Sequence, residues 1–240
     1  MERAAELEKW KEVKKLAKQT IRLTDIMIEE SKVLLKAMGI PIVQAPSEGE
    51  AQAAYMAANG YAYASVSQDY DSLLFGAPRL IRNLSITGKR HHIRGGVIEI
   101  KPEEVILNDA LKALGITRDQ LIWLGILVGT DFNEGVRGIG PKKGLKIVKE
   151  SKTIDDVIKI VNEKKGYVFP EDINSVYQFF LNPPTTDKFK TEWREVDDKK
   201  IVKLLVDAHD FSYDRIMSTI KKLKTIQNEI GKQTGLPDFM

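Results

Sequence analysis

The stretch Ile40-Pro-Ile-Val-Gln-Ala-Pro-Ser-Glu-Gly-Glu50 joins a short apolar run directly to two acidic residues. The same arrangement recurs twice. Ser67-Gln-Asp-Tyr-Asp-Ser72 follows the apolar run 61–66, and Ile126-Leu-Val-Gly-Thr-Asp131 ends a third apolar segment in an aspartate. Strands that alternate with helices form a mainly parallel sheet, and ligands bind in the crevice beyond the carboxyl ends of its strands. The sequence therefore predicts an α/β fold in which these acidic side chains converge.

The predicted cluster has five carboxylates: Glu48, Glu50, Asp69, Asp71 and Asp131. Acidic pairs that meet at one edge of a sheet repel one another, and a bound cation offsets that repulsion. Oxygen ligands without histidine or cysteine favour Mg²⁺ or Mn²⁺ over zinc. A cluster this acidic can hold two such ions about 4 Å apart, the spacing used in two-metal hydrolysis of phosphodiesters. We therefore predict a divalent-metal site.

Each acidic group also has a simpler structural interpretation. Ser47 and Glu50 fit a capping box at the start of a helix. The two aspartates of 67–72 fit a solvated turn, and Asp131 alone fits an ordinary loop. Gly49 favours the metal site, because glycine in a first helical turn costs stability but permits the close approach of a ligand.

Composition limits the size of the core, the kinds of metal site and the setting that this chain can have. The 240 residues, 42% hydrophobic and 30% charged, are sufficient for one large core or for a core and a smaller lobe. The absence of cysteine excludes disulfides and thiolate-bound zinc and favours an intracellular setting. A net charge of +3 does not by itself indicate nucleic acid, so that inference depends on local clusters.

Hydrophobic spacing predicts the order of elements along the chain. Helices are expected at 1–38 and 48–58, and strands at 40–45, 61–67, 79–85 and 97–100. After Lys101-Pro102 the pattern predicts helices almost throughout, at 102–114, 117–128, 141–150, 153–162, 170–180, 198–207 and 212–224. His91 and His92 stand in a polar stretch that favours an exposed hairpin over a part of the site.

We expect four regions. These are a helical segment at 1–38, an α/β core at 39–130, a helical lobe at 131–224 and a flexible tail at 225–240.

A second candidate site lies in Val136-Arg-Gly-Ile-Gly-Pro-Lys-Lys-Gly144. Gly138 and Gly140 allow a tight turn whose N–H groups approach an outside group, and Pro141 suits the first position of a helix. Two lysines then fall in the first turn of that helix, where cations oppose the helix dipole. A phosphate at this position removes the conflict, since amides, dipole and ammonium groups all face it. Such a hairpin binds the DNA backbone without reading bases. The alternative is an ordinary connection between two helices.

Together these motifs resemble the flap endonuclease family of structure-specific 5′ nucleases, and its archaeal more than its eukaryotic branch. The resemblance covers most of residues 20–225 and rests on Ala45–Ala51, Gln68–Ser72, Leu127–Asp131 and Gly138–Lys142. It implies a PIN-like 5′-nuclease core, incomplete at the amino terminus, with a helical lobe that contains a helix–two-turn–helix. It also implies that all five carboxylates are catalytic metal ligands.

The resemblance further implies cofactors and partners. Two Mg²⁺ ions, replaceable by Mn²⁺, would occupy the acidic site, and K⁺ would bind near the helix–two-turn–helix. The residues that contact DNA would be Gly138, Ile139, Gly140, Lys142, Lys143 and Lys146. A sliding clamp (PCNA) would bind the tail through Gln233, Leu236, Phe239 and Met240, unless their spacing is accidental. The protein would act in the cytoplasm, or in the nucleus of a eukaryote.

Residues 1–22 would form the later part of a helical arch through which a 5′ flap passes. The lysines that would line the arch are Lys9, Lys11, Lys14, Lys15 and Lys18, and a solvated face with Glu–Lys pairs is the alternative for each. Family members begin with a segment that carries the first strands of the sheet and two further acidic ligands. This chain begins within the arch, so we expect slow or absent cleavage by the chain alone.

The implied function is that of a 5′-flap endonuclease or 5′ exonuclease of DNA replication and repair. A duplex-DNA-binding fragment with impaired catalysis is one alternative. A related 5′ exonuclease of the same superfamily is another.

Overall fold

The computed structural model describes residues 23–85, 88–91, 97–169 and 172–232. They form two compact units, one from the residues up to 43 together with those from 190 onward, and one from residues 44–189. The predicted boundaries at 38 and 130 stay a prediction. The flexible tail predicted from residue 225 is wrong for residues 225–232, which continue the helix Tyr213–Lys232. Several predicted features lie outside the described residues: His92, the arch segment 1–22 with Lys9, Lys11, Lys14, Lys15 and Lys18, and the clamp-binding Gln233, Leu236, Phe239 and Met240.

The described elements are numbered here in chain order. The strands are β1 (Ser65–Val66), β2 (Arg79–Arg82), β3 (Gly88–His91), β4 (Val97–Ile100) and β5 (Glu103–Ile106). The helices are α1 (Asp25–Ala37), α2 (Gly49–Ala58), α3 (Asp71–Leu74), α4 (Leu107–Leu114), α5 (Arg118–Val128), α6 (Pro141–Glu150), α7 (Ile154–Lys165), α8 (Ile173–Leu181), α9 (Asp198–Val202) and α10 (Tyr213–Lys232), with a π-helical turn (Lys203–Asp207) after α9.

The first unit is helical. Its first described helix, α1, is capped by Thr24, whose hydroxyl accepts the Met27 N–H at 3.3 Å and so supplies a partner that the helix start lacks. The apolar faces of α1, α9 and α10 meet in a small buried cluster of Ala37, Ile201, Ile216 and Ile220. Packing of these faces stabilises the unit.

Gly39 ends the predicted first helix, as its sequence position indicated. It has a positive φ of 76°, and a side chain there would collide with the backbone carbonyl of Arg194. The carbonyl of Gly39 in turn accepts the N–H of Arg194 at 2.9 Å. The glycine therefore lets two segments distant in sequence approach closely.

The second unit contains the sheet. β1 pairs in parallel with β2, and β2 pairs antiparallel with β5. β3 and β4 form a separate antiparallel hairpin, which confirms the hairpin predicted around His91. The α/β class is confirmed, with one parallel and one antiparallel pair in the described three-stranded sheet.

Three predicted elements differ in the structure. Residues 40–45 are not a strand, because a strand needs a hydrogen-bonded neighbour and none of the described residues pairs with them. The strand predicted at 61–67 is reduced to β1. Residues 103–106, predicted as the first turn of a helix, form β5 instead. The ion pairs of β2 with β5, Arg82–Glu103 and Arg79–Glu104, favour this strand pairing over helix.

The main core of the second unit lies among its helices. The fully buried side chains include Ile122, Ile126 and Leu127 of α5, Val148 of α6 and Phe180 of α8. Gly144 allows α5 and α6 to pack closely, because a Cβ at this position would lie 2.6 Å from a methyl carbon of Leu124. This packing fixes the start of α6 relative to the end of α5. Among the described helices, none is both long and apolar enough to cross a membrane.

Candidate active site

Four of the five predicted carboxylates line one open cavity of about 700 Å³ in the second unit. They are Glu50, Asp69, Asp71 and Asp131, and they come from the start of α2, the loop after β1, the start of α3 and the loop after α5. Leu121, Leu124 and Val128 of α5 form an apolar part of the same wall. Glu48 is not a lining residue, but its charge acts on Asp71. The structure thus brings together side chains from three separate sequence motifs.

The first motif begins α2, although not through the capping box that its sequence allowed. The N-cap residue is Glu48 instead of Ser47, and its side chain makes no capping hydrogen bond. The carboxylate of Glu50 accepts a hydrogen bond from the hydroxyl of Ser67. A Cβ at Gly49 would meet no atom within 4 Å, so the helix start faces open space. Both acids are therefore available near the cavity.

Ser67 connects the first two motifs, and the sequence interpretation missed it. Its hydroxyl donates to Glu50 and accepts the backbone N–H of Asp69 at 3.1 Å. One hydroxyl can do both because it carries a proton and two lone pairs. Deeper in the unit, the hydroxyls of Ser65 and Ser72 lie 2.9 Å apart and tie β1 to α3. Its place as the first residue of the second acidic motif is the one sequence signal that pointed to it.

Asp71 carries the clearest electrostatic sign of a functional site. Burial, followed by the charges of Glu50, Asp131, Asp69 and Glu48, raises its pKa from 3.8 to about 6. All five causes disfavour the ionised carboxyl, and four of them are other carboxylates. Perturbed carboxyl groups of this kind cluster at functional sites.

Asp131 is held by a tightly organised loop. The hydroxyl of Thr130 donates to the side-chain carbonyl of Asn133 at 2.8 Å, and the Asn133 amide donates to the carbonyls of Ile126 and Glu134 at 2.9 Å each. Asn133 is buried, so these bonds are protected from water. Sequence reasoning missed Asn133, because an asparagine two residues after an aspartate gives no signal until its distant partners are known.

Gly135 allows this loop to pass close to the backbone at the end of α5. A side chain at Gly135 would collide with the carbonyl of Val128. Phe132 anchors the loop from the other side by packing on Phe179 and Phe180 of α8, with ring centres 4.8 and 5.4 Å away. Asp131 therefore lies on a loop whose backbone is fixed at both ends.

The donor set fits a divalent cation in its chemistry. It consists of carboxylate oxygens, which suit Mg²⁺ and Mn²⁺, and its mutual repulsion raises the pKa of Asp71. Within the described residues no three His, Cys, Asp or Glu side chains form a closed set of ligands around one position. The acids share a cavity, and a bound ion would have to draw them closer together.

The glycine-rich hairpin has the predicted form. Gly138 has a positive φ of 81°, Gly140 is the N-cap of α6, and Pro141 is the first residue of that helix. Ile139 is buried and Val136 donates its N–H to the carbonyl of Leu127 at 2.9 Å, which ties the hairpin to α5. A Cβ at Gly140 would meet nothing within 4 Å. The N-terminus of α6 is thus open to an outside group.

The lysines of the hairpin are exposed. Lys142, Lys143 and Lys146 lie on the surface of α6, and no described side chain caps the helix start. The ammonium of Lys143 donates to the carbonyl of Gly138 at 3.0 Å. Pro141 also lines the acidic cavity, so the carboxylates and the start of α6 border the same space.

Comparisons with known proteins agree with this geometry. The family model described as the XPG I-region matches residues 39–131, the segment that contains all five carboxylates. Flap endonuclease 1 of Hyperthermus butylicus is 52% identical over 96% of this chain and 66% of its own length. Flap endonuclease 1 of Pyrococcus furiosus is 52% identical over 97% of this chain and 69% of its own length.

A solved structure extends the comparison to the fold. Flap endonuclease-1 from Methanococcus jannaschii is 40% identical, with a TM-score of 0.75 over 92% of this chain and 65% of that one. The catalytic core of Rad2, at 22% identity and a TM-score of 0.67, shares the fold. The chain spans about two thirds of the length of the flap endonucleases that it matches, between 64% and 66% for the first three.

Proposed function

The chain belongs to the flap endonuclease family, and on that premise we propose that it hydrolyses phosphodiester bonds of branched DNA at a 5′ flap. The observation that carries the proposal is the cavity lined by Glu50, Asp69, Asp71 and Asp131. Because it also borders Pro141 at the start of α6, one space can hold the reacting phosphodiester beside a helix start that suits backbone phosphates.

The carboxylates supply the catalytic chemistry in this proposal. Glu48, Glu50, Asp69, Asp71 and Asp131 would hold two Mg²⁺ ions, for which Mn²⁺ can substitute. Bound divalent ions lower the pKa of an attacking water and stabilise the leaving oxygen. Ser67 orients Glu50 and Asp69, and the Thr130–Asn133 loop orients Asp131. The apolar wall of α5 limits water near the charges and so strengthens their interactions.

The hairpin supplies the grip on duplex DNA. The N-terminus of α6 is open, its lysines are exposed, and its first turn contains no acidic residue. Gly138, Ile139, Gly140, Lys142, Lys143 and Lys146 form this contact surface in the proposal. Contacts of this kind hold the phosphate backbone and carry no sequence information. A K⁺ ion beside the hairpin carbonyls would belong to the same contact.

A cleavage assay tests the proposed function. A labelled 5′-flap duplex is incubated with excess protein in Mg²⁺ or in chelator, for long enough to detect slow turnover. We expect a single cut near the junction that requires Mg²⁺ and is lost in Asp131→Asn. Nucleotide-by-nucleotide release from a blunt duplex would favour the related 5′ exonuclease. Binding without any cleavage would favour the duplex-binding alternative, which the exposed hairpin by itself also supports.

The tail gives a separate proposal for a protein partner. Gln233, Leu236, Phe239 and Met240 follow the spacing of clamp-binding peptides, and a sliding clamp (PCNA) would be the partner. A peptide of residues 225–240 is expected to capture a clamp, and the same peptide with Phe239→Ala is expected to lose it. Equal capture by both peptides would contradict this assignment.

A further inference from the structure

Arg82, at the carboxyl end of β2, holds the two residues that flank Asp69. Its Nε donates to the backbone carbonyl of Gln68 at 3.0 Å, and its Nη1 donates to the hydroxyl of Tyr70. The guanidinium carbon also lies 4.2 Å from the centre of the Tyr70 ring. We propose that Arg82 is a positioning residue that fixes the loop of residues 68–71, so that Asp69 and Asp71 face the cavity. The inference rests on the proposed metal-dependent function.

The loop of residues 68–71 needs contacts from other parts of the chain, because repulsion between carboxylates opposes its position at the cavity. Asp69 and Asp71 share one cavity with Glu50 and Asp131, and like charges oppose this approach. Burial of α3 begins only at Ser72, whereas residues 68–70 are exposed, so packing gives this part of the loop little support. Arg82 attaches the loop to a strand that is paired on both sides.

The chemistry of arginine suits this task. A guanidinium presents several N–H donors in a rigid plane, so it can donate to a carbonyl and a hydroxyl while its face stacks on an aromatic ring. Glu103 of β5 pairs with the same Nη1 at 3.4 Å and orients the side chain from the far side. Lysine keeps the charge but cannot make this set of contacts at once.

The same strand provides a matched control. Arg79 lies 4.2 Å from the ring centre of Tyr63, donates to the Tyr63 hydroxyl, and pairs with Glu104 of β5. It therefore repeats the stacking and the ion pair of Arg82. Tyr63, however, lies before β1 and outside the carboxylate loop. A change at Arg79 should cost similar stability without disturbing Asp69 or Asp71.

The test measures metal binding in the absence of DNA, so that loss of a DNA contact cannot imitate the effect. Mn²⁺ is titrated into the full chain and into Arg82→Gln, Arg82→Lys, Arg79→Gln and Arg79→Lys, with free Mn²⁺ followed by electron paramagnetic resonance. Thermal unfolding of each variant is recorded in chelator. We expect both Arg82 variants to bind Mn²⁺ about 10-fold to 100-fold more weakly, the usual range for a lost outer partner of metal ligands. The Arg79 variants should bind like the unmodified chain and unfold at temperatures similar to those of the Arg82 variants.

Each other outcome has a definite meaning. Unchanged Mn²⁺ binding in Arg82→Gln would overturn the inference and leave the proposed function intact. Normal binding in Arg82→Lys would overturn it as well, because charge alone would then be sufficient. Equal losses of Mn²⁺ affinity in the Arg79 and Arg82 variants would also overturn it, because a general loss of stability would then explain the effect. A full chain that binds no Mn²⁺ would overturn the proposed function, and the inference with it.

Discussion

The carboxylate cavity and the α6 hairpin border the same space but differ in the sign and the burial of their unfavourable charges. In the cavity, acidic side chains crowd against an apolar wall, and burial with four like charges raises the pKa of Asp71 to about 6. At the hairpin, lysines oppose a helix dipole, but they lie on the surface in water. Charge repulsion is much stronger in a partly buried site than in an exposed one. Bound cations should therefore relieve a large electrostatic cost in the cavity, and bound phosphates only a moderate one at the hairpin.

The largest expected effect is a loss of catalysis on the cavity side. Asp131→Asn removes one charge from the donor set and should lower Mg²⁺-dependent flap cleavage at least about 100-fold, because bound metal supplies several kcal/mol of transition-state stabilisation. Single-turnover kinetics measure this. Asp109→Asn is the control, since Asp109 is an exposed acid of α4 that does not line the cavity. Equal losses in both variants would contradict the assignment of Asp131.

The second expected effect is a pH-dependent change in the free energy of unfolding when a charge is removed from the cavity. A carboxyl whose pKa is raised by folding opposes folding when it is ionised, so its cost is greatest above pH 6 and fades as the pH falls toward 4. Asp71→Asn should therefore stabilise the chain in chelator by about 1–2 kcal/mol at pH 7.5, after allowance for solvent screening. The gain should be much smaller at pH 4.5. Denaturant unfolding at both pH values measures it, and a gain independent of pH would refute the electrostatic explanation.

The smallest effect concerns the hairpin. Lys142→Ala combined with Lys143→Ala should weaken duplex binding several-fold, about equally for all sequences. The slope of log affinity against log salt should become shallower by about 1 for each lost phosphate contact. Lys101→Ala combined with Lys112→Ala removes the same charge elsewhere in the second unit and should leave the slope nearly unchanged. A loss that differs between DNA sequences would indicate base contacts and contradict the proposal.

The comparison also shows what could be predicted from the sequence. The acidic motifs and the Gly–Ile–Gly–Pro hairpin could be identified because their chemistry depends on residues within a few positions of one another. Four carboxylates do share a cavity, and Gly138, Gly140 and Pro141 have the predicted backbone roles. The residues within each motif are local in sequence, and each acidic motif follows an apolar segment, which is why the sequence pattern was sufficient.

Features that depend on distant partners could not be predicted. β5 looked like the start of a helix, since only its pairing with β2, more than twenty positions earlier, makes it a strand. Residues 40–45 have strand-like composition but no described neighbour to pair with. The hydrogen bonds of Ser67, Arg82 and Asn133 likewise join residues that a pattern search treats as unrelated.

The contact between Gly39 and Arg194 has a consequence for exchanging parts of this chain with those of a homologue. Because the N–H of Arg194 bonds the carbonyl of Gly39, the chain returns after residues 44–189 to the place from which it departed. Residues 44–189 are in this sense an insertion within the first unit. One continuous stretch of the amino-acid sequence therefore contains all five carboxylates, the Arg82 support and the α6 hairpin. That segment could be exchanged with its counterpart from a homologue as a single cassette, with both junctions adjoining one short stretch of paired backbone.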